Sequence, residues 1–305
     1  MEEVIVIVER IKELKEKKKA VILAHYYVAD EVQAIADYVG DSFYLSKIAK
    51  NTDAERIVFC GVSFMGESAA IMNPNKKVFM PDPNADCAMA HMVDIAKITE
   101  LRNQYEDLAV VCYINSSAEI KTYSDVCVTS ANAIKVVKNL KNKNIFFIPD
   151  GNLGQYVKEQ LPEKNIILNR GYCPIHGAIT KEEVLEAKEN YPNAKFLVHP
   201  ECKKEILEEA DYIGSTSGII DYVTKDEAVE YIIGTEIGVL YELKKRAPEK
   251  KYYPVRNNVV CTDMKFVTLE KVLDVLENET NMVQVPEEVS KKALVPLEKM
   301  LEIAG

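Results

Sequence analysis

The stretch AVVCYINSS (Ala109–Ser117) decides the fold, because it joins an apolar run to a cluster of polar residues. A short run rich in Val and aromatic residues is typical of a buried parallel strand. The polar residues that follow it, which we call a strand tip, are where α/β proteins carry their functional groups. Similar runs alternate with amphipathic segments rich in Lys and Glu along the whole chain. The alternation predicts the α/β class.

The same order of runs occurs three times. Each third of the chain has a strand with a polar tip, a strand with a Ser/Thr tip, a strand with a Gly-rich tip, and a fourth run that leads to a cysteine. The three sets are AVILAHYY (Ala20–Tyr27), YVGDS (Tyr38–Ser42), RIVFCGVSF (Arg56–Phe64) and KVFMPDPNADC (Lys77–Cys87); AVVCYINSS, VCVTSAN (Val126–Asn132), IFFIPDGNLG (Ile145–Gly154) and IILNRGYC (Ile166–Cys173); and KFLVHPEC (Lys195–Cys202), DYIGSTSG (Asp211–Gly218), EYIIGTEIG (Glu230–Gly238) and KYYPVRNNVVC (Lys251–Cys261).

The period of this pattern is regular. Cys87 and Cys173 are 86 residues apart, and Cys173 and Cys261 are 88 apart. Such self-similarity indicates an internal triplication. We therefore expect three similar three-layer α/β domains with small parallel sheets, arranged around a pseudo-threefold axis. The expected domains are residues 1–87, 88–173 and 174–305, with C-terminal helices in the third.

The repeat predicts that Cys87, Cys173 and Cys261 converge. Strand tips gather at the carboxyl edge of each sheet, so three sheets around one axis bring the three cysteines to a common point. Other cysteines have a different context: Cys60, Cys112 and Cys127 lie inside apolar runs and are expected to fill the core, while the role of Cys202 stays open.

Three thiolates at one point fit two kinds of metal site. A zinc ion could be bound by the three cysteines with His176 as the fourth ligand, although structural zinc sites usually use closely spaced pairs. A 4Fe-4S cluster takes one cysteine per iron, so three cysteines would leave one iron open as a Lewis acid. The residues alone leave both alternatives open.

Composition excludes several classes of protein. The 305 residues are 48% hydrophobic and carry a net charge of −10, and stretches such as KELKEKKK (Lys12–Lys19) mix both signs. Nucleic acid and anionic membranes are therefore not expected as main partners. No apolar run approaches the roughly 18 residues of a membrane helix, and the N-terminus does not resemble a signal peptide. A cytoplasmic protein is predicted, whose seven cysteines are thiols or metal ligands.

The polar strand tips predict an anion-binding site. Hydroxyl groups and backbone N–H groups at helix starts bind carboxylate or phosphate without Lys or Arg, and three equivalent sets favour this role over helix capping alone. Glu201 is the best candidate for acid–base chemistry, followed by Tyr27 and Tyr113. The candidate residues are His25, Tyr27, Ser42, Tyr113, Asn115, Ser130, His199, Glu201, Ser215 and Thr216.

Ordered motifs from Ala20 to Lys265 resemble the quinolinate synthase family. The motifs are LAHYY, GDS, GVSFMGE, NPNKKVFMPD, CAMAHM, YINSSAEIK, TSANA, PDGNLG, GYCPIH, HPEC, GSTSG, GTEIG and DMK. The resemblance implies three similar α/β domains around a central 4Fe-4S cluster. It also implies a transferase of NAD biosynthesis that condenses iminoaspartate with dihydroxyacetone phosphate to quinolinate, releasing phosphate and two waters.

The resemblance also assigns roles to residues. It implies Cys87, Cys173 and Cys261 as cluster ligands, and possible transient contact with the enzyme that supplies iminoaspartate. The implied catalytic residues are Glu201, Tyr27, His199 and Tyr113. The implied substrate-binding residues are His25, Ser42, Tyr113, Asn115, Ser130, His176, His199, Glu201, Ser215 and Thr216. Two positions depart from the family pattern: Tyr26 stands where many members have Asn, and VVCTDMK lacks the second cysteine that some members have nearby.

Three alternative functions remain at this point. The first is another cluster-dependent hydro-lyase that acts on a small hydroxy acid. The second is a non-catalytic iron-sulfur sensor, which would be expected to carry a basic helix or an appended domain. The third is a zinc-stabilised scaffold. Radical chemistry on S-adenosylmethionine is disfavoured, because its three cysteines lie in one loop. The segment after Lys265 has apolar residues three and four apart and is predicted to form packing helices.

Overall fold

The protein, described by a computed structural model over residues 2–304, contains three four-stranded parallel sheets. In each sheet the strands lie in the order second, first, third, fourth. This repetition confirms the α/β class and the three similar sheets. The strands are β1 (Ala20–His25), β2 (Tyr38–Gly40), β3 (Arg56–Cys60) and β4 (Lys77–Phe79); β5 (Ala109–Tyr113), β6 (Val126–Val128), β7 (Asn144–Ile148) and β8 (Asn165–Leu168); and β9 (Lys195–Val198), β10 (Tyr212–Ile213), β11 (Glu230–Gly234) and β12 (Lys251–Pro254).

The strands form where the sequence is apolar on both faces. Every residue of β5 is buried. In the third sheet, Phe196 and Ile232 belong to one hydrophobic cluster, whereas the neighbouring Leu197 and Tyr231 belong to another. Because successive side chains of a strand point to opposite faces, the third sheet is covered on both sides. It is therefore the middle layer of three, as the sequence predicts.

The helices connect the parallel strands, and several begin at capping residues. Asp41 caps α3 by accepting the N–H of Tyr44, and Thr180 forms a capping box with Glu183 at the start of α10. The helices are α1 (Glu2–Lys17), α2 (Asp30–Ile35), α3 (Ser42–Asn51), α4 (Ser63–Met72), a 3-10 helix (Ala88–His91), α5 (Ile95–Gln104), α6 (Ala118–Lys121), α7 (Ala133–Asn139), α8 (Gly151–Gln160), α9 (Pro174–Gly177), α10 (Lys181–Asn190), α11 (Lys204–Leu207), α12 (Thr216–Lys225), α13 (Val239–Arg246), α14 (Thr262–Lys265), α15 (Leu269–Asn278) and α16 (Glu287–Ala304).

The two C-terminal helices return to the first two sheets. Helix α15 packs against α1 and β3, and α16 packs against α4, α6, α7 and β6. Their apolar residues, such as Val272 and Met300, join one hydrophobic cluster with the cores of both sheets. The predicted packing role of these helices is confirmed. The predicted domain boundaries stay a prediction.

The strand order fixes where the loops meet. In each sheet the connection after the first strand runs to the second strand on one side, and the connection after the third strand runs to the fourth on the other side. The loops after the first and third strands therefore diverge and leave a crevice at the carboxyl edge between them. Across residues 2–304, none of the helices is both long and apolar enough to span a bilayer.

Candidate active site

A cavity of about 320 Å³ lies where the strand tips of all three sheets meet. It receives residues from both sides of each crevice, and three cysteines more than eighty positions apart border it together. The predicted residues on its wall are His25, Tyr27, Ser42, Cys87, Tyr113, Asn115, Ser130, Cys173, His176, His199, Glu201, Thr216 and Cys261. Sequence reasoning therefore grouped residues that the fold does bring together.

Ser215 is the one predicted residue outside the wall. Its hydroxyl accepts the N–H of Gly218 and caps α12, while the next residue, Thr216, faces the cavity. In the first repeat the pair Asp41 and Ser42 is similar, because Asp41 caps α3 and Ser42 follows it at the wall. Capping thus accounts for the contact that Ser215 makes in this structure.

The first strand of two repeats ends in the same histidine arrangement. The N–H of Tyr27 donates to Nδ1 of His25 over 3.2 Å, and the N–H of Glu201 donates to Nδ1 of His199 over 3.3 Å. With Nδ1 accepting, a neutral ring carries its proton on Nε2. Nε2 of His199 lies 3.2 Å from Oγ of Ser130, so the ring is a hydrogen-bond donor toward the cavity.

Burial keeps both histidines uncharged. Removal from water lowers the pKa of His25 and of His199 to about 3, against the ordinary 6.5, although the nearby carboxylate of Glu201 acts in the opposite direction. Neutral N–H donors bind a carboxylate without the strong charge attraction that would retain it. They suit a site that must release an anionic product.

We expect the rings of His25 and His199 to stay neutral from pH 8 to pH 5. The unfolded chain takes up these protons below pH 6.5 while the folded protein does not, so the free energy of unfolding falls on acidification by about 1.4 kcal/mol per pH unit and histidine. Imidazole ¹⁵N shifts of labelled protein purified without iron provide the measurement. A titration midpoint near 6.5 for either ring would contradict the expectation.

Glu201 is the centre of the polar network. Its side chain is almost fully buried, Oε1 accepts the hydroxyl of Tyr113 at 2.5 Å, and Oε2 lies 2.7 Å from Nδ1 of His176. Burial by itself raises the pKa of Glu201, but His199, His176 and the two hydrogen bonds outweigh it and hold the pKa well below the usual range. The carboxylate is therefore an ionised, oriented proton acceptor.

Two tyrosines near Glu201 stay neutral. Burial, followed by the charge of Glu201, raises the pKa of Tyr113 and of Tyr27 well above the usual value. The Tyr27 hydroxyl does not contact Glu201 directly; it lies 2.8 Å from Oγ1 of Thr216 and 2.8 Å from Oγ1 of Thr235. Both phenols keep their protons across the physiological range.

Two buried oxygens that follow strands of the second sheet and border the cavity have no hydrogen-bond partner in the described residues. Within the part of the chain that the structure describes, Oδ1 of Asn115 and Oγ1 of Thr129 are buried without a hydrogen bond. Both residues border the cavity. Buried polar atoms are normally satisfied, so these two oxygens are suited to polar groups of a bound ligand. Sequence reasoning found Asn115 but missed Thr129, which follows the same strand as Ser130.

The three cysteines occupy equivalent positions. Each is the residue directly before a short helix: Cys87 precedes the 3-10 helix, Cys173 precedes α9, and Cys261 precedes α14. The nearby backbone N–H groups of those helices act to lower the pKa of each thiol, which favours the thiolate. Burial acts more strongly and raises the pKa of Cys87 to about 12 and of Cys261 to about 11. A cationic metal centre is what would make these sulfurs thiolates.

A closer trio lies at one side of the cavity. Among residues 2–304, the ligand atoms of Cys173, His176 and Glu201 are those that lie within 4.8 Å of one another. Nδ1 of His176 is 3.3 Å from Sγ of Cys173. The three cysteines together are not a set that meets this spacing in the described residues.

The remaining cysteines are core residues. Cys60, Cys112 and Cys127 are fully buried within their strands, which agrees with the prediction that they fill the core. Cys202 is also fully buried, and its thiol donates to the carbonyl of Gly234 at 3.7 Å. None of these four borders the described cavity.

Sequence reasoning missed several residues of the wall and its support. Thr235 and Glu236 follow β11 in the Gly-rich tip GTEIG, and Asp86 precedes Cys87. Glu236 is fully buried, lies 3.1 Å from Nζ of Lys265 and accepts the N–H of Cys261 at 3.2 Å. The signal available in the sequence for Thr235, Glu236 and Asp86 was their position at strand tips, but their residue types alone did not distinguish them from capping residues.

Comparison with known proteins identifies relatives over almost the whole chain. The family model described as "Quinolinate synthetase A protein" matches residues 9–302. A protein of Fusobacterium nucleatum named quinolinate synthase is 56% identical over 297 residues, which cover 97% of this chain and 99% of the relative. Quinolinate synthases of Clostridioides difficile and Methanosarcina barkeri are each 52% identical over 97% of both chains.

Proposed function

The chain belongs to the quinolinate synthase family, and from that premise we propose that it condenses iminoaspartate with dihydroxyacetone phosphate. The products are quinolinate, phosphate and two waters. Quinolinate holds the pyridine ring that NAD contains, so the reaction belongs to NAD biosynthesis. One observation carries the proposal: neutral donors, an ionised carboxylate and three thiols from three different sheets border a single cavity.

The size and polarity of the cavity support these substrates. A volume of about 320 Å³ accommodates small molecules rather than polymers. Apart from Glu201, the polar side chains on the wall are mostly neutral hydrogen-bond donors, such as His25, His199 and Ser130. We assign them to the carboxylates of iminoaspartate, together with Ser42, Asn115 and Thr216.

We assign Cys87, Cys173 and Cys261 as ligands of a 4Fe-4S cluster. Their equivalent places before three short helices and the cavity that all three border support this group over a single zinc ion, because structural zinc sites usually use closely spaced pairs of ligands in the sequence. When bound, such a cluster would supply one iron without a protein ligand, a Lewis acid for a substrate oxygen. Together with this assignment we propose that the protein is a transferase and that its activity depends on the iron-sulfur cluster.

The protein's own groups perform the proton transfers in this proposal. Ring formation removes protons from carbon and nitrogen, and the ionised Glu201 is placed to accept them while His176 and the Tyr113 hydroxyl stabilise its charge. Tyr113 can return a proton from the same side. Tyr27 stands at the first sheet, with its ring edge against His25 at 4.5 Å between centroids, and acts on the opposite part of the substrate.

Assay of anaerobically purified protein tests the function. The protein is expected to be brown, to contain about four iron and four sulfide per chain, and to form quinolinate when both substrates are supplied. Chromatography against authentic quinolinate identifies the product, and omission of the triose phosphate is the control. A cluster-loaded protein that makes no quinolinate refutes the proposed reaction, and a colourless protein with one zinc refutes the cluster.

A further inference from the structure

We propose that Thr235 is a positioning residue that holds the Tyr27 hydroxyl in place from behind the cavity wall. The proposal rests on the proposed function, in which Tyr27 assists proton transfer. Thr235 is fully buried directly after β11, and it is absent from the cavity wall while Tyr27 and His176 are part of it. It therefore stands behind two residues that face the substrate.

The Thr235 hydroxyl forms hydrogen bonds with one residue that follows the first strand of the first sheet and with one on the helix after the second sheet. Its Oγ1 lies 2.8 Å from the hydroxyl of Tyr27 and 2.9 Å from Nε2 of His176. The series of contacts continues on both sides: the Tyr27 hydroxyl lies 2.8 Å from Oγ1 of Thr216, and Nδ1 of His176 lies 2.7 Å from Oε2 of Glu201. A continuous line of hydrogen bonds thus connects Tyr27 to Glu201 through Thr235.

The Thr235 hydroxyl can bond to both partners at once. A threonine hydroxyl has one proton and two lone pairs, so it can pair with the Tyr27 hydroxyl and with Nε2 of His176 together. The Tyr27 oxygen also lies 2.8 Å from Oγ1 of Thr216. Two threonine hydroxyls that follow strands of the third sheet therefore hold the phenol.

These contacts decide where the Tyr27 hydroxyl stands. The bond to Thr235 lies behind the wall, whereas Tyr27 itself borders the cavity. Without the Thr235 hydroxyl, the phenol loses a hydrogen bond and is free to leave the position from which it acts on the substrate.

The surrounding turn holds Thr235 against the first sheet. A Cβ at Gly238 would lie 2.6 Å from the carbonyl oxygen of Tyr26 and 2.9 Å from Cα of Tyr27, so only glycine permits this approach. The side-chain amide of Gln33 donates to the carbonyls of both Gly238 and Tyr26, at 3.1 and 2.9 Å. The position of Thr235 relative to Tyr27 is therefore fixed by the backbone.

Kinetics of paired variants test the proposal. Thr235→Val keeps the shape and removes the hydroxyl, and we expect kcat for quinolinate formation to fall about tenfold or more. KM should stay within about threefold, because the residues assigned to the substrate carboxylates are not altered. Thr235→Ser should restore most of the rate. Thr224→Val is the matched control, because its hydroxyl donates to a backbone carbonyl on the exposed face of α12.

A double-mutant cycle with Tyr27→Phe separates positioning from general damage. If Thr235 acts through Tyr27, Thr235→Val causes no further loss in the Tyr27→Phe background. Additive losses, or a Ser variant as slow as the Val variant, overturn the proposal. An unchanged kcat in Thr235→Val also overturns it.

Crystal structures of the two Thr235 variants provide a readout that does not need turnover. In Thr235→Val we expect the Tyr27 hydroxyl to leave its present position or to bind a new water there, and in Thr235→Ser to keep it. Unmoved Tyr27 and His176 with no added water in Thr235→Val overturn the positioning role. A wild-type protein that makes no quinolinate refutes the proposed function instead, and the structures still decide on Thr235.

Discussion

Cys173→Ala is expected to yield a folded protein that retains no 4Fe-4S cluster and has lost at least roughly a hundredfold in quinolinate formation. Cys173 is the proposed cluster ligand that follows the second sheet, and it borders the same cavity as Cys87 and Cys261. Two remaining cysteines leave two irons without protein ligands, which makes the cluster labile. Iron and sulfide analysis with electron paramagnetic resonance measures the loss directly.

The matched control is Cys60→Ala. Cys60 is fully buried at the end of β3, and burial raises the pKa of its thiol well above the usual value, so it is a core side chain. We expect this variant to be less stable but to remain brown and active. A Cys173→Ala protein with full iron and sulfide content would show that the ligand assignment is wrong.

Glu201→Gln is expected to lower kcat by about 10²–10⁴-fold while the cluster content stays at the wild-type level. The amide has nearly the same shape but cannot accept a proton at neutral pH. It also presents an NH2 group at one of the two oxygen positions that Tyr113 and His176 now contact, so the orientation of that partner changes. Steady-state kinetics and iron content, measured on the same anaerobic preparation, separate catalysis from cluster loss.

Glu242→Gln serves as the control for that experiment. Glu242 is also a buried glutamate, but it lies on α13 with Lys245 at 3.1 Å and Arg246 at 2.8 Å and does not border the cavity. Its replacement should affect stability and leave kcat unchanged. Equal kinetic effects of the two substitutions would remove Glu201 from the proton transfers.

Much of the architecture could be predicted because the repeat is visible in short-range patterns. Apolar runs such as AVVCYINSS form strands. His25 and Tyr113 are the last residues of β1 and β5, and His199 directly follows β9, so each stands at the end of the first strand of its sheet. Once three equivalent sheets are assumed, the parallel topology alone places their tips together. The convergence of the three cysteines followed from that step and from no local feature.

The supporting contacts could not be predicted in the same way. Thr235 contacts Tyr27, 208 residues away, and His176, 59 residues away, and a threonine after a strand is an ordinary residue in sequence. The separate role of Ser215 depends on which of two adjacent hydroxyls turns toward the cavity, which the helix start at Thr216 decides. Such choices are made by backbone geometry in three dimensions.

The position of α16 has a consequence for folding during translation. This helix completes the hydrophobic core that β6, α4 and α6 begin much earlier in the sequence. Contacts between distant segments form late, since loop closure must precede them. During translation the first two sheets would therefore stay incompletely packed until α16 has left the ribosome, so these sheets are expected to depend on chaperones more than independently folding domains would.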